Sequence, residues 1–205
     1  MIETLLNAIK QVLAFAAIPF IVYLIREKKV AGFLDYIGLK KSSRKANLYA
    51  LLLMLVLAST MFIAILVDKG FIEVLHDPRS VTGKLRMMGF GTESIFTLLV
   101  VASLKTSLSE EIFFRGFVAK RLIAVTNYKT GNIIQAVIFG GIHTLLFLAI
   151  TQNVLFLVII FIIPTIGAYV KVHLNEKLAD GSIIPGWIAH ASANLLAYSL
   201  IAFVL

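Results

Sequence analysis

The sequence predicts an all-α fold, a polytopic transmembrane helix bundle of about six spans, and three observations predict it. Of 205 residues, 60% are hydrophobic and 15% charged, with a mean hydropathy of +0.95, far outside the range of a soluble domain of this size. Six apolar runs, over 4–25, 47–67, 94–125, 131–150, 153–172 and 183–205, can each cross a bilayer. A hydrocarbon core of about 30 Å takes about 20 helical residues. Finally, no alternating strand pattern with turn punctuation occurs, so backbone groups in lipid must be satisfied within helices rather than between barrel strands.

The elements follow in order. The run 4–25 lacks a positively charged start, and its first basic residue, Lys10, already lies inside it, so it reads as a retained span rather than a cleaved signal peptide. Before the second run come Arg26, Lys28, Lys29, Lys40, Lys41, Arg44 and Lys45 against Glu27 and Asp35, which places this loop on the cytoplasmic side. From Asp68 to Thr92 the charges nearly balance, and Gly70 to Gly91 shows no helical period; it reads as an irregular outer connector with His76 at its surface. The run 94–125 is long enough to be one strongly tilted helix or two elements broken near Lys105. Lys120, Arg121 and Lys129 mark an inner turn, Thr151-Gln152-Asn153 an outer one, and Lys171 with Lys177 the last inner one, where His173 also lies. Both termini are expected outside. Without repeat, heptad or low-complexity segment, 1–205 reads as a single integral membrane domain, with two N-terminal spans and their loops over 1–92 and a polar-bearing core over 93–205.

Composition also excludes functions. The net charge of +8 is spread through short segments between apolar runs, as the positive-inside rule requires, so no nucleic-acid partner is expected. The absence of cysteine removes disulfides and thiolate chemistry.

The chemistry concentrates in Ser107-Leu-Ser-Glu-Glu-Ile-Phe-Phe-Arg-Gly116, where two carboxylates and a guanidinium interrupt an apolar run. Each such charge at the centre of a membrane helix costs roughly 2.5–3.5 kcal/mol, or on the order of 8–10 kcal/mol for three, so the groups must face protein or water. Glu111 and Arg115, at i,i+4, can pair on one face, while Glu110, rotated by about 100°, is free to point elsewhere. Phe139 and His143 share a face across Gly140-Gly141, whose missing side chains permit close helix approach. His190 and Asn194 share a face among the small residues Ala191, Ser192 and Ala193. Measured from the inner ends of their runs at about 1.5 Å per residue, the carboxylates lie roughly 22 Å deep, His143 roughly 18 Å and His190 roughly 10 Å, and a cavity opening towards the cytoplasmic half would gather them.

Each piece has a plain structural explanation: an internal ion pair, a helix-to-helix histidine bond, a His–Asn clamp. Lys10 and Lys105 are expected to snorkel or to meet a carboxylate. Convergence from three runs favours a site instead. Water attack on an amide needs a base and oxyanion donors. Glu110 suits the base, His143 can hold the same water, and His190 with Asn194 are typed as donors. Ser107, Ser109 and Ser192 are only formal nucleophile candidates, since none is evidently paired with a base. Glu, His and His are acceptable zinc ligands, but His-Glu-x-x-His is absent, so the metal-free mechanism without a cofactor is favoured over zinc.

Glu110-Glu-Ile-Phe-Phe-Arg115-Gly, Phe139-Gly-Gly-Ile-His143 and His190-Ala-Ser-Ala-Asn194 resemble, in order and separation, three motifs of the CAAX protease and bacteriocin-processing family, also called the Abi family: Glu-Glu-x-x-x-Arg, Phe-x-x-x-His and His-x-x-x-Asn or Asp. The resemblance covers about residues 94–205. It implies an intramembrane endopeptidase that hydrolyses a membrane-associated peptide or protein with glutamate-activated water. By the same resemblance Glu110 and His143 activate water, His190 and Asn194 form the oxyanion hole, and Glu111 and Arg115 support them. The chain has fewer spans than the eukaryotic prenyl-protein proteases, which argues against a CAAX substrate. Bacterial members are linked to peptide maturation, bacteriocin self-immunity and regulation of membrane sensors, which implies a bacterial cell membrane and a sensor or bacteriocin-system partner. The alternative is a non-proteolytic immunity or sensor-regulating scaffold. An ion-coupled transporter would also bury Glu, His and Arg, but no inverted repeat or paired broken helices support one.

Overall fold

The computed structural model describes residues 1–205, apart from the side chain of Met61. The chain is all-α, without strands among the described residues: α1 (Ile2–Glu27), α2 (Phe33–Tyr36), α3 (Arg44–Val67), α4 (Gly70–Leu75), α5 (Val81–Met88), α6 (Thr92–Val100), α7 (Lys120–Val125), α8 (Tyr128–Leu148), α9 (Val154–His173) and α10 (Ile184–Phe203). Polar side chains set several starts by accepting from the first-turn amides: Ser43 from Ala46, Asn127 from Thr130 and Asn153 from Phe156.

The long third run is one continuous helical rod rather than two elements. Between α6 and α7 it passes through two π-helical stretches, Val101–Leu108 and Glu111–Ala119. Such widened i→i+5 turns are rare and concentrate at functional sites. There is no break at Lys105. Its carbonyl accepts from Gln11 Nε2 of α1 at 2.7 Å. Neither Lys105 nor the exposed Lys10 makes an ion pair among the described residues.

Helices Ile2–Glu27, Arg44–Val67, Tyr128–Leu148 and Val154–Leu178 are long and apolar enough to cross a membrane, so four of the six expected spans stand on length and composition. The other two runs are helical as well, but they carry the polar residues described below, which dilute their apolar character.

The segment after α3 departs from the expected irregular connector. Phe71 and Leu75, one turn apart on α4, are buried with Ala64, Phe156, Ile160 and Ile201, which fastens this short helix to α3, α9 and α10. Ser80 caps α5 through Gly83 N, and Leu85 is buried against Leu98, Ala102 and Ala202. His76 is half-buried instead of superficial, and its Nε2 donates to the Ile201 carbonyl at 2.8 Å. His173 is exposed as expected, but in the last turn of α9, with Nδ1 3.1 Å from the Tyr128 hydroxyl.

α8 and α9 touch backbone to backbone at Gly140, where a Cβ would lie 2.0 Å from Thr165 Oγ1 and 2.5 Å from Phe161 O. Gly141 faces open space, so one glycine of the pair provides the close approach.

Candidate active site

Glu111 is the hub. Its side chain is fully enclosed, and Oε1 accepts from Lys171 Nζ at 2.8 Å and from His190 Nδ1 at 2.9 Å. On its other side Oε2 lies 3.4 Å from Arg115 Nε, the expected i,i+4 pair. Arg115 is equally buried, and its guanidinium carbon sits 3.9 Å from the centre of the Phe139 ring. A desolvated cation on an aromatic face gains about 2 kcal/mol, which offsets part of the cost of burying the guanidinium. Gly186 is needed beside them: a Cβ there would lie 2.9 Å from Glu111 Oε2 and 2.7 Å from Asn175 Nδ2.

Hydrogen-bond arithmetic fixes the histidine tautomers. A carbonyl oxygen only accepts, so the 2.8 Å contact from His143 Nδ1 to Phe139 O puts the proton on Nδ1 and leaves Nε2 with a lone pair. His190 likewise donates from Nδ1 to the Glu111 carboxylate. Its Nε2 points towards Glu110 Oε2 at 3.8 Å, beyond direct hydrogen bonding. That Glu110 oxygen is buried and has no hydrogen-bond partner among the described residues.

Asn194 is oriented in the same way. Its Nδ2 lies 3.1 Å from Thr106 Oγ1 and 3.2 Å from Ser107 Oγ. Both hydroxyl protons are spent on backbone carbonyls, Thr106 on Val101 and Ser107 on Ala102, so the hydroxyl oxygens can only accept from the amide. The carbonyl end of Asn194 is therefore its uncommitted atom. Ser107 is thereby occupied, and Ser109 donates to the Lys105 carbonyl at 2.5 Å; neither hydroxyl is held by a base.

Glu110, His143, Lys171, His190 and Asn194 line one cavity of about 300 Å³. Glu111 and Arg115 stand behind its wall. From this polar end the cavity continues along apolar residues such as Leu57, Ile163, Phe147 and Ile201 as far as Leu75, Ser80 and Thr82 of the α4–α5 segment. On the opposite side the cluster is closed by Gly186 and Asn175, and beyond them Lys120 clamps Glu176 at 2.6 Å and the Gly181 carbonyl at 2.8 Å. The cavity thus runs from the polar cluster towards the α4–α5 segment, away from Lys120 and Glu176. Among the described residues no group of three or more His, Asp or Glu side chains is placed to hold a metal ion.

Family comparison matches residues 92–196, slightly more than half of the chain, to Type II CAAX prenyl endopeptidase Rce1-like. The chain belongs to this family. All three motifs, from Glu110 to Asn194, fall inside the matched residues. With its apolar helices, this Rce1-like chain is an integral membrane protein of an endopeptidase family. Comparison with curated proteins and with solved structures gives no match.

The geometry gathers all six residues singled out in the sequence, Glu110, Glu111, Arg115, His143, His190 and Asn194, around one cavity wall. It adds three more. Thr106 and Ser107 hold Asn194. Lys171 is not a loop charge of the last inner turn: it is 3% exposed on α9 and bonded to Glu111. Its signal was present, since an unpaired lysine at the end of an apolar run meets the same intramembrane-charge test that picked out Glu110.

Proposed function

We propose that the protein is an intramembrane endopeptidase that hydrolyses a peptide bond of a membrane-associated peptide or protein with water activated by Glu110. The single observation that carries the reading is the free oxygen of Glu110, enclosed without a protein donor at the polar end of a cavity that otherwise runs along apolar side chains. A general base needs an open acceptor within reach of water and of the scissile carbonyl, and this atom has one.

The steps follow from the groups present. Water donates one proton towards Glu110 and the other hydrogen bond towards His143 Nε2, which aims a lone pair at the carbonyl carbon. As the new C–O bond forms, the proton passes to Glu110 and the carbonyl oxygen becomes an oxyanion. Collapse breaks the C–N bond, and Glu110 returns the proton to the departing nitrogen. His190, braced through Nδ1 by Glu111, stands beside Glu110 and takes part in the oxyanion hole only when a second proton sits on Nε2. Asn194, through its free carbonyl oxygen, receives a backbone N–H of the substrate. The apolar stretch of the cavity accepts a hydrophobic segment beside the cleaved bond, with the polar end towards the cytoplasmic half on the positive-inside assignment. A bacterial membrane setting, with a sensor or bacteriocin-system partner, belongs to the same reading.

The test is cleavage of an apolar, membrane-associated peptide by purified protein in lipid nanodiscs. Glu110→Ala and His143→Ala are expected to abolish cleavage while the helical circular dichroism is kept. Full cleavage by both variants would overturn the mechanism, and a biological effect that survives both would favour a scaffold role.

A further inference from the structure

A tetrahedral intermediate places negative charge where a donor must already be waiting. The neutral polar wall of this cavity offers mostly acceptors. His143 and His190 each spend their one ring proton at Nδ1, on Phe139 O and on Glu111, which leaves lone pairs at Nε2. Asn194 commits both amide protons to Thr106 and Ser107. Glu110 is a carboxylate. Lys171 is the exception: an ammonium carries three N–H donors, only one is needed for Glu111 Oε1 at 2.8 Å, and the residue lines the same cavity while 3% exposed.

We propose that Lys171, a residue outside all three family motifs, is a catalytic residue whose ammonium meets the oxyanion formed at the polar end of the cavity. The proposal rests on the endopeptidase reading. Charge balance supports it independently of any one distance. When Glu110 takes the proton from water it becomes neutral, and Glu111, Arg115 and Lys171 together then carry one net positive charge. The oxyanion that appears at that instant cancels it, so no uncompensated charge is left in a region where Coulomb energies are weakly screened. In the resting site the ionised Glu110 supplies the same cancellation.

Lys171→Met keeps the apolar stem and removes the cation, and Lys171→Arg keeps the cation. Both are compared with wild type in nanodiscs for cleavage of an apolar peptide, and for binding of that peptide ending in a phosphonate monoanion against its uncharged amide. Lys171→Met is expected to lower kcat about 10²–10³-fold with KM nearly unchanged, the effect of losing an oxyanion donor. It should weaken phosphonate binding by a similar factor and leave amide binding as it was, with partial recovery of both in Lys171→Arg. Lys171→Met with Glu111→Gln, which removes the charges together, guards against simple misfolding and should show the same loss of phosphonate preference. Wild-type rates and phosphonate affinity in Lys171→Met would overturn the proposal and leave the endopeptidase reading intact. A wild type that cleaves nothing but prefers the phosphonate through Lys171 would sink that reading and uphold the anion site; no preference in wild type would overturn the proposal whatever the activity.

Discussion

Glu111 Oε1 and His190 Nδ1 lie 2.9 Å apart across 79 residues of sequence, joining a π-helical stretch to α10. This bond decides which ring nitrogen of His190 carries the proton, and so which atom faces Glu110. The second carboxylate of the Glu-Glu pair thus acts by holding the groups around it, while the first keeps an oxygen free.

Removing that hub should destabilise the bundle. Glu111→Ala leaves Lys171 and Arg115 as buried cations without the carboxylate that contacts them both, and breaking one side of a buried pair costs about 3–5 kcal/mol. Glu111→Gln keeps the shape and one acceptor and is expected to lose less. Thermal unfolding of both variants in the same detergent checks the order; equal melting temperatures for Glu111→Ala and wild type would contradict it.

The two adjacent glycines of α8 should respond in opposite directions. Gly140→Ala forces a methyl into the Phe161 carbonyl and Thr165, which is expected to cost about 1–3 kcal/mol. Gly141→Ala meets no atom within 4 Å and should gain up to about 1 kcal/mol from helix propensity. Denaturant titration of the two variants reads the difference.

Asn194 depends on its two hydroxyl partners. Thr106→Val with Ser107→Ala removes both acceptors and frees the amide to turn, and an unpaired buried amide costs about 1–3 kcal/mol. The double variant is expected to reproduce most of the kcat loss of Asn194→Ala, measured on the same peptide. A double variant as active as wild type would show that the amide orientation is immaterial.

A pH-dependent contact sits between the spans. The bidentate hydrogen bonds from Arg79 hold the Asp77 carboxyl down at about 2 from an ordinary 3.8. Arg79 also donates to the carbonyls of Ala149 and Ile150, tying the α4–α5 turn to the end of α8. A depressed carboxylate contributes stability above its unfolded value and loses it as pH falls from about 4 towards 2. Wild type should therefore lose more thermal stability than Asp77→Asn as pH falls from about 4 to about 2. Parallel losses in the two proteins would contradict the assignment.

Much of this is legible in the sequence. Apolar run length gave the helices, because lipid leaves the backbone no other partner, and intramembrane charge gave Glu110, Glu111 and Arg115. The motifs His143 and His190 to Asn194 then pointed to one cavity, since nothing else in the apolar runs could satisfy them. What was not legible has physical causes. α4 and α5 are too short to display a period, and their helicity depends on burying Phe71, Leu75 and Leu85. Lys171 reads as a loop charge because the end of the fifth apolar run hides the continuation of α9 through a π-helical turn, Leu174–Leu178. The π-helical course of the third run has no sequence signature, yet it sets how Thr106, Ser107 and Glu110 face α10. The course of the cavity depends on side chains brought together from α3, α4, α5, the third run, α8, α9 and α10, which no single run reveals.

The central claim is that one carboxylate activates the attacking water, and single-turnover cleavage by Glu110→Gln in nanodiscs tests it most directly. At equal melting temperature and equal peptide affinity, the rate should fall by about 10²–10⁴-fold, the share a general base contributes. A Glu110→Gln protein that cleaves at the wild-type rate would contradict the account.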